Sequence, residues 1–148
     1  MEEIKKSTTE DLEKLSALAA NLWPEHTIAE LKQEFSELLS QDGACFFIKI
    51  AEGKPVGFAQ CQLRHDYVEG TSSSPVGYLE GIYVAPEFRH RGYAKQLLTE
   101  CEKWAKEKGC AEFASDCSFG NNDSLFWHLS AGFDEAGRVI CFVKKLGH

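Results

Sequence analysis

The chain has 148 residues, of which 43% are hydrophobic, so it can bury one core and is short for two domains. We therefore expect a single domain spanning residues 1–148. The formal net charge is −7, and residues 1–43 carry ten acidic against four basic side chains, which argues against a nucleic-acid partner. An acidic surface suits a polycationic substrate, although ordinary solubility charge on exposed helix faces also explains it.

The sequence shows no sign of a membrane segment or of a metal-binding motif. No apolar run approaches the roughly 18 to 20 residues that cross a bilayer, and the amino terminus lacks the order of a secretory signal. The six cysteines lie mostly inside apolar runs, which indicates reduced core residues, while a secreted disulfide framework stays open on their number alone. We expect a soluble, cytoplasmic protein with no metal and no membrane partner.

Two amphipathic helices are predicted in the first forty residues. Thr8 or Thr9 can cap the first helix, whose leucines recur at helical spacing until Trp23 and the proline after it. Thr27 begins a capping-box pattern, so a second helix should run to about Ser40.

The hydrophobic period then changes to that of strands. Residues 45–50 and 56–63 are short β-prone runs joined by a glycine-containing turn, which predicts a hairpin. Residues 65–75 form a polar loop, and residues 76–84 are a third long strand.

The remaining elements alternate between helix and strand. A helix is predicted from about 92 to 106, with Gly109 as its stop signal. A strand at 110–115, a helix at 123–131 and a final strand at 139–144 follow. This order predicts an α/β fold, a sheet with helices on both faces.

The turn between the third long strand and the following helix carries the most information. It reads Arg89-His90-Arg91-Gly92-Tyr93-Ala94. Small residues let the backbone approach a ligand, and N–H groups at a helix start can cradle an anion such as pyrophosphate. The dinucleotide and P-loop glycine patterns are not in the sequence. From these six residues alone, an ordinary glycine-containing helix start stays open.

This turn resembles the R/Q-x-x-G-x-G/A motif with which the GNAT superfamily of N-acetyltransferases binds acetyl-CoA. A second segment, Asn121-x-x-Ser124-x-x-x-His128-x-x-x-Gly132-Phe133, is similar to that family's N-x-x-A-x-x-x-Y-x-x-x-G-F helix. The resemblance implies a GNAT fold, with a mixed, mostly antiparallel sheet splayed between the fourth and fifth strands. It also implies acetyl-CoA as co-substrate, its pantetheine arm lying in that gap.

The resemblance further implies which residues hold acetyl-CoA. Backbone groups of the third long strand would bind the pantetheine arm, and one strand N–H would polarise the thioester carbonyl. The cofactor-binding residues expected on this basis are Ile82, Tyr83, Val84, Arg89, His90, Arg91, Gly92, Tyr93, Ala94 and Asn121.

Two residues are candidates for proton transfer, because attack by an amine requires a neutral nitrogen and the departing thiolate must regain a proton. Glu80 is the candidate general base, being an acid in an otherwise apolar strand, with a structural carboxylate or a substrate clamp as the alternative. His128 stands where the family commonly has a tyrosine. It is the candidate acid, and a satisfied core or surface histidine is the alternative.

The resemblance narrows to the aminoglycoside 6'-N-acetyltransferases and covers nearly the whole chain. The matching segments are Leu22-Trp23-Pro24, Arg64-His65-Asp66-Tyr67-Val68-x-Gly70, Ser73-Ser74-Pro75-Val76, Leu79-Glu80-Gly81-Ile82 and Ala114-Ser115-Asp116. This implies acetyl transfer to the 6'-amino group of these antibiotics, with resistance as the result. A polycationic acceptor needs carboxylates around a rim, and the expected acceptor residues are Trp23, Asp66, Tyr67, Glu80 and Asp116.

Other interpretations stay open at this point. Trp23 could cap the core, Tyr67 could pack its own loop, and Asp66 could be a solvated loop charge. A related enzyme could act on another small amine or on a protein amino group, and a non-catalytic module could bind acetyl-CoA without turnover. The resemblance also implies a homodimer, with the segment around residues 140–143 near the neighbouring subunit.

Overall fold

A five-stranded sheet organises the first of two structural units, which ends at Asp116, while the second unit begins at Cys117. The computed structural model describes residues 2–147. The strands are β1 (Glu2–Lys6), β2 (Ala44–Ala51), β3 (Lys54–Arg64), β4 (Val76–Val84) and β5 (Phe113–Ser115). They lie in the sheet in chain order, antiparallel except for the parallel pair of β4 and β5.

Three α-helices of this unit follow the predicted pattern. They are α1 (Leu12–Leu22), α2 (Ile28–Leu39) and α3 (Tyr93–Glu107). Capping boxes fix the entries to the first two: Thr8 pairs with Asp11 before α1, and Thr27 pairs with Glu30 at the start of α2. Each cap of this kind stabilises a helix by about 1 kcal/mol. Because a cap requires particular residue types at a fixed spacing, both helix starts could be predicted from the sequence.

The helices cover both faces of the sheet, as predicted. Buried side chains of α1 and α2 pack with Phe46, Ile48 and Phe58 in one core cluster. Neighbouring residues of a strand point to opposite faces, and Lys49 accordingly reaches α3, where its Nζ lies 2.7 Å from Gln96 Oε1. The sheet therefore separates an α1–α2 layer from an α3 layer.

A β-bulge interrupts β4 at Glu80. Gln60 of β3 pairs with Gly81 and Cys61 pairs with Leu79, so Glu80 is the extra residue. A Cβ on Gly77 would meet α3, whereas a Cβ on Gly81 would meet the Trp23 ring beyond α1, although the two positions are four apart. The bulge thus reverses the alternation of faces after Glu80 and turns Gly81 toward the α1 side, the side that Glu80 already faces by ordinary alternation from Gly77.

The sheet opens directly after this bulge. The pairing of β4 with β5 covers only Gly77–Leu79 against Phe113–Ser115, and none is recorded for the described residues beyond it. The predicted splay between the fourth and fifth strands is confirmed. Because β5 diverges here, residues 80–84 keep one hydrogen-bonding edge that no strand of the described chain covers.

Two predictions for the first unit were wrong. The chain begins with a strand, β1, rather than with a helix; its one apolar residue, Ile4, gave no alternating pattern to detect. The strand predicted at 110–115 is shortened to β5. Cys110 N–H donates to Ala105 O across 3.0 Å, and Gly109 has φ +89°, so these residues close the end of α3.

The second unit contains one helix, α4 (Asn122–Ser130), near the predicted position. Asn121 caps it, and Phe133 N–H donates to His128 O at its end. The strand predicted at 139–144 is wrong: those described residues form no strand, since an extended segment needs a neighbouring strand for its backbone groups. Its apolar side chains, from Val139 to Val143, are largely exposed.

The cysteines divide between core and surface. Cys45, Cys61 and Cys101 are buried and free, which agrees with the prediction, whereas Cys117 and Cys141 are exposed and contradict it for those two. Across residues 2–147, no helix combines the length and apolar character that crossing a membrane requires.

Candidate active site

The open edge of β4 presents backbone donors to the gap. Ala85 N–H donates to Val56 O of β3 across 2.8 Å, and N–H directions alternate along a strand. Tyr83 N–H therefore faces β3, while those of Ile82 and Val84 face the open edge. Of the three residues expected to hold a pantetheine arm, these two present N–H groups in the required direction.

The turn before α3 is shaped as an anion cradle. His90 has φ +64°, and Gly92, the N-cap of α3, has φ +82° in the left-handed region. Gly92 offers no capping side chain, so the first N–H groups of α3, from Tyr93 and Ala94 onward, remain directed outward with the positive end of the helix dipole. A Cβ at Gly92 would meet nothing within 4 Å, which shows space beside the turn.

Two arginine side chains brace this turn from behind. Arg89 Nε donates to Val84 O across 2.7 Å, which ties the turn to the end of β4. Arg91 Nη2 donates to Glu87 O across 3.3 Å, and its guanidinium lies 5.0 Å from the centre of the Phe88 ring. Both arginine side chains are thus engaged with backbone carbonyls. The groups of the turn that remain able to bind an anion are mainly its backbone N–H groups.

Tyr93 anchors the start of α3 in the sheet. Its buried ring lies 4.3 Å from Lys49 Nζ, and its hydroxyl donates to Glu2 Oε2 across 2.9 Å. Hydrogen bonds from Tyr93 and Lys49 lower the pKa of Glu2 below its ordinary value. The phenol thus acts on the side of β1, where it positions the helix.

Four side chains form a connected cluster beside the bulge. Glu80 accepts from Arg64 through both oxygens, at 3.1 Å from Nε and 2.9 Å from Nη2. The Arg64 guanidinium lies over Tyr78, 3.5 Å from the ring centre, and the Tyr78 hydroxyl donates to Asp116. The structure therefore connects Glu80 with Asp116 through two residues that the sequence had not singled out.

Hydrogen bonds and burial raise the pKa values of Arg64 and Tyr78, the two middle members of this cluster. The hydrogen bond to Glu80 raises the pKa of Arg64 above its ordinary value. Burial, and then the hydrogen bond to Asp116, raises the pKa of Tyr78, which keeps its hydroxyl protonated as a donor. Arg64 supplies one positive charge against the two carboxylates, so the cluster retains a net negative charge that attracts a cation.

Trp23 lies over the residue next to Glu80. A Cβ at Gly81 would stand 2.5 Å from Trp23 Cη2, so glycine is what allows the indole to rest on β4. The ring also meets Phe35 and Phe58 edge to face, with centres 6.5 and 6.1 Å apart. Trp23 is therefore a half-buried cap of the core that lies against Gly81, the residue after Glu80.

The other expected acceptor residues lie on the loop of residues 65–75. Asp66 and Tyr67 are exposed, the tyrosine by 77%, while Val68 is buried against Val76 and Tyr78. Exposure leaves both side chains accessible to a ligand, and Val68 attaches the loop to the sheet.

Glu112, which precedes β5, secures the far side of this loop. Its carboxylate accepts from Ser72 N–H across 2.9 Å and from the Ser73 hydroxyl. The hydrogen bond from Ser73 lowers the pKa of Glu112 below its ordinary value. Sequence reasoning missed this residue because about forty positions separate the partners.

In the second unit, His128 and Asn121 both make local contacts. Asn121 Oδ1 accepts from Ser124 N–H across 3.2 Å at the start of α4. His128 Nδ1 lies 2.7 Å from Ser124 O, which assigns the proton to Nδ1, and its ring packs on Trp127 and Phe133. With Nδ1 bound to Ser124 O, His128 could donate a proton from Nε2 only as the doubly protonated imidazolium.

The fold and these features define a class of α/β protein in which an open strand edge leads into a glycine-capped helix start. The chain matches the Acetyltransferase (GNAT) family over residues 8–133. It belongs to that family.

Individual relatives are similar along almost the whole chain. An aminoglycoside N(6')-acetyltransferase type 1 from Salmonella enteritidis is 43% identical over 143 residues, covering 97% of this chain and 99% of the relative. Among solved structures, AAC(6')-Iy in complex with the bisubstrate analog CoA-S-monomethyl-acetylneamine superposes with a TM-score of 0.93 at 42% identity, covering 98% and 99% of the two chains. AAC(6')-Iy in complex with CoA gives a TM-score of 0.94 at 42% identity, covering 98% and 95%.

Proposed function

We propose that this protein transfers the acetyl group of acetyl-CoA to the 6'-amino group of aminoglycosides, with antibiotic resistance as the consequence. The observation that carries the proposal is the arrangement along β4. The strand places the Glu80 cluster immediately before the open edge of Ile82 and Val84 and continues into the cradle at Gly92. Relatives more than 40% identical are named for this reaction or bind CoA.

The residues present fit acetyl-CoA. The open N–H groups of Ile82 and Val84 suit a pantetheine amide or a thioester oxygen, and the start of α3 suits a pyrophosphate. Acetyl-CoA supplies an activated acyl group as its thioester. The residues of this chain orient that thioester along β4 and remove a proton from the acceptor ammonium.

Glu80 removes the proton from the reacting ammonium, directly or through a water. Its carboxylate is largely shielded, with 19% of the side chain exposed, and lies just before the open edge. Arg64 occupies one side of the carboxylate, and each oxygen retains a second lone pair for the acceptor. In this proposal His128 acts as the imidazolium, which carries a proton on Nε2 as well as on Nδ1, and returns the Nε2 proton to the thiolate.

The acceptor is held by charge and by an aromatic edge. Aminoglycosides carry several ammonium groups, which carboxylates spread over a rim can bind. Glu80 and Asp116 provide two such carboxylates within one connected cluster, and Asp66 provides a third on the exposed loop. Trp23 and Tyr67 offer aromatic surface for a sugar ring.

The two structural units act together as one acetyltransferase domain in this proposal, which is supported by a family match that runs from residue 8 to residue 133.

A homodimer is also proposed. The segment after α4 has no strand partner among the described residues and exposes Ile140 by 81%, Phe142 by 91% and Val143 by 92%. Pairing with a second copy would cover this apolar surface.

We also propose a cytoplasmic location, because the three buried free thiols suit a reducing compartment.

The test is product analysis. Protein, acetyl-CoA and a kanamycin- or tobramycin-type acceptor should yield one mono-acetylated product by mass spectrometry, with NMR placing the acetyl group on N6'. An otherwise similar aminoglycoside with a 6'-hydroxyl group is the matched control and should not react. Turnover of a polyamine or a protein amino group in preference to the drug would contradict the acceptor, and CoA binding with no turnover on any amine would contradict the enzyme.

A further inference from the structure

We propose that Arg64 is a positioning residue of the acceptor site, which holds the Glu80 carboxylate in one orientation and couples it through Tyr78 to Asp116. The inference rests on the proposed acetyl transfer and deepens it. Arg64 ends β3, and its guanidinium binds Glu80 and lies over the ring of Tyr78, whose hydroxyl donates to Asp116.

The geometry fixes Glu80 more firmly than a single contact would. Arg64 donates to both carboxylate oxygens, through Nε and Nη2, so the carboxylate cannot rotate without losing a hydrogen bond. The guanidinium is held in turn by its contact with the face of the Tyr78 ring. Two planar groups therefore determine which lone pairs of Glu80 face the acceptor.

The second carboxylate is joined to the same support. Tyr78 bears the guanidinium on its ring and donates its hydroxyl to Asp116. Since Tyr78 is buried in β4 against Val68 and Val76, it is a rigid link between the two acids. A shift of Arg64 would therefore disturb both positions at which an ammonium is expected.

We expect the protein to fold without Arg64, because its side chain is 42% exposed and solvent screening limits what its ion pair with Glu80 adds to folding stability. Lys32 is a matched control, because it is 44% exposed and pairs with Glu13 of α1, outside the Glu80 cluster. Replacing either should leave the protein folded.

A competing interpretation predicts the opposite change in drug kinetics when Arg64 is removed. If Arg64 merely occupied the position of the acceptor ammonium, its removal would free the carboxylates and the Michaelis constant for the drug would fall. If it positions Glu80, removal lowers kcat/KM for the drug by about tenfold or more, the scale of a charge-assisted hydrogen-bond pair. The Michaelis constant for acetyl-CoA should stay within about twofold of wild type, as expected for a group outside the cofactor site.

The experiment measures kcat and KM for a kanamycin-type drug and for acetyl-CoA in wild type, R64Q, R64K and the control K32Q. A lysine side chain keeps the charge but lacks the planar fork of arginine, so R64K should recover only part of the loss. K32Q should match wild type. A kcat/KM for the drug in R64Q that equals or exceeds the wild-type value would overturn the proposal.

A double-mutant cycle separates positioning from a general structural effect. If Arg64 acts through Glu80, adding R64Q to Glu80→Gln should cost little further activity, so the two effects are strongly non-additive. Additive losses would contradict the coupling. Failure of wild type to acetylate any aminoglycoside would instead refute the proposed function, which keeps the two failures distinct.

Discussion

The Trp23 indole rests on the backbone of Gly81, because a Cβ at that position would stand only 2.5 Å from Trp23 Cη2. Gly81→Ala should therefore displace the ring from β4 and cost about 1–3 kcal/mol of folding stability, as overpacking does. Urea unfolding followed by tryptophan fluorescence measures both effects. Gly43→Ala is the control, since a Cβ there would meet nothing within 4 Å and its stability should change little. Equal stability of the two variants would contradict the contact.

Gly92→Ala should weaken acetyl-CoA binding severalfold, since a methyl group beside the turn narrows the space for an anion at the start of α3. Gly92 has φ +82° and Gly109, at the other end of the same helix, has φ +89°, each with nothing within 4 Å of an added Cβ. Both alanine variants should thus lose a similar stability of about 1 kcal/mol. Calorimetric titration with CoA should distinguish them. Equal CoA affinity in both variants would remove the turn from the cofactor site.

Asp11 predicts an acid dependence of stability. Its burial alone would raise its pKa, but hydrogen bonds from Thr8 N–H and Lys5 prevail and hold the pKa of Asp11 below its ordinary 3.8. A carboxylate with a depressed folded pKa adds stability above its unfolded pKa and loses it as pH falls through the folded value. Asp11→Asn should therefore cost about 1–2 kcal/mol near pH 7, the scale of a lost charged cap.

The difference between wild type and Asp11→Asn should then shrink below about pH 4, as the carboxylate becomes protonated first in the unfolded and then in the folded state. Denaturant unfolding at pH 7 and at the lowest pH where both proteins fold measures it. The exposed Glu13 on α1 serves as control through Glu13→Gln. A stability difference that does not depend on pH would show that shape, not charge, makes the Asp11 cap.

The sequence predicted what depends on neighbours along the chain. Thr27 marked the start of α2, because a capping box closes within four residues, and Thr8 was one of two threonines that could cap the first helix. It did not predict the bulge at Glu80, which exists only relative to the register of β3, or the link from Tyr78 to Asp116, whose partners are 38 positions apart. The apolar run at 139–144 predicted a strand, but such a run does not reveal whether a partner strand is present.

The site shows the same division. Glu80 and Gly92 were chosen from the sequence because an acid in an apolar strand and a glycine at a helix start are local signals. Arg64 lay inside a recognised segment without a role, since its meaning comes from its contact with Tyr78 of the next strand. Knowledge of how β3 pairs with β4 would have been needed to predict the role of Arg64.

In the proposed reaction, Glu80 takes a proton from an aminoglycoside amine oriented beside the open edge of β4. The most direct measurement is the pH profile of turnover at saturating drug and acetyl-CoA for wild type and Glu80→Gln. The variant keeps size and hydrogen bonding, so its turnover near neutral pH should fall by about 10²-fold or more, the scale of general-base contributions, and recover as pH rises toward the pKa of the amine. A profile identical in shape and height to that of wild type would contradict the role of Glu80 as general base. A raised Michaelis constant for the drug with unchanged saturated turnover would show that Glu80 only binds the acceptor.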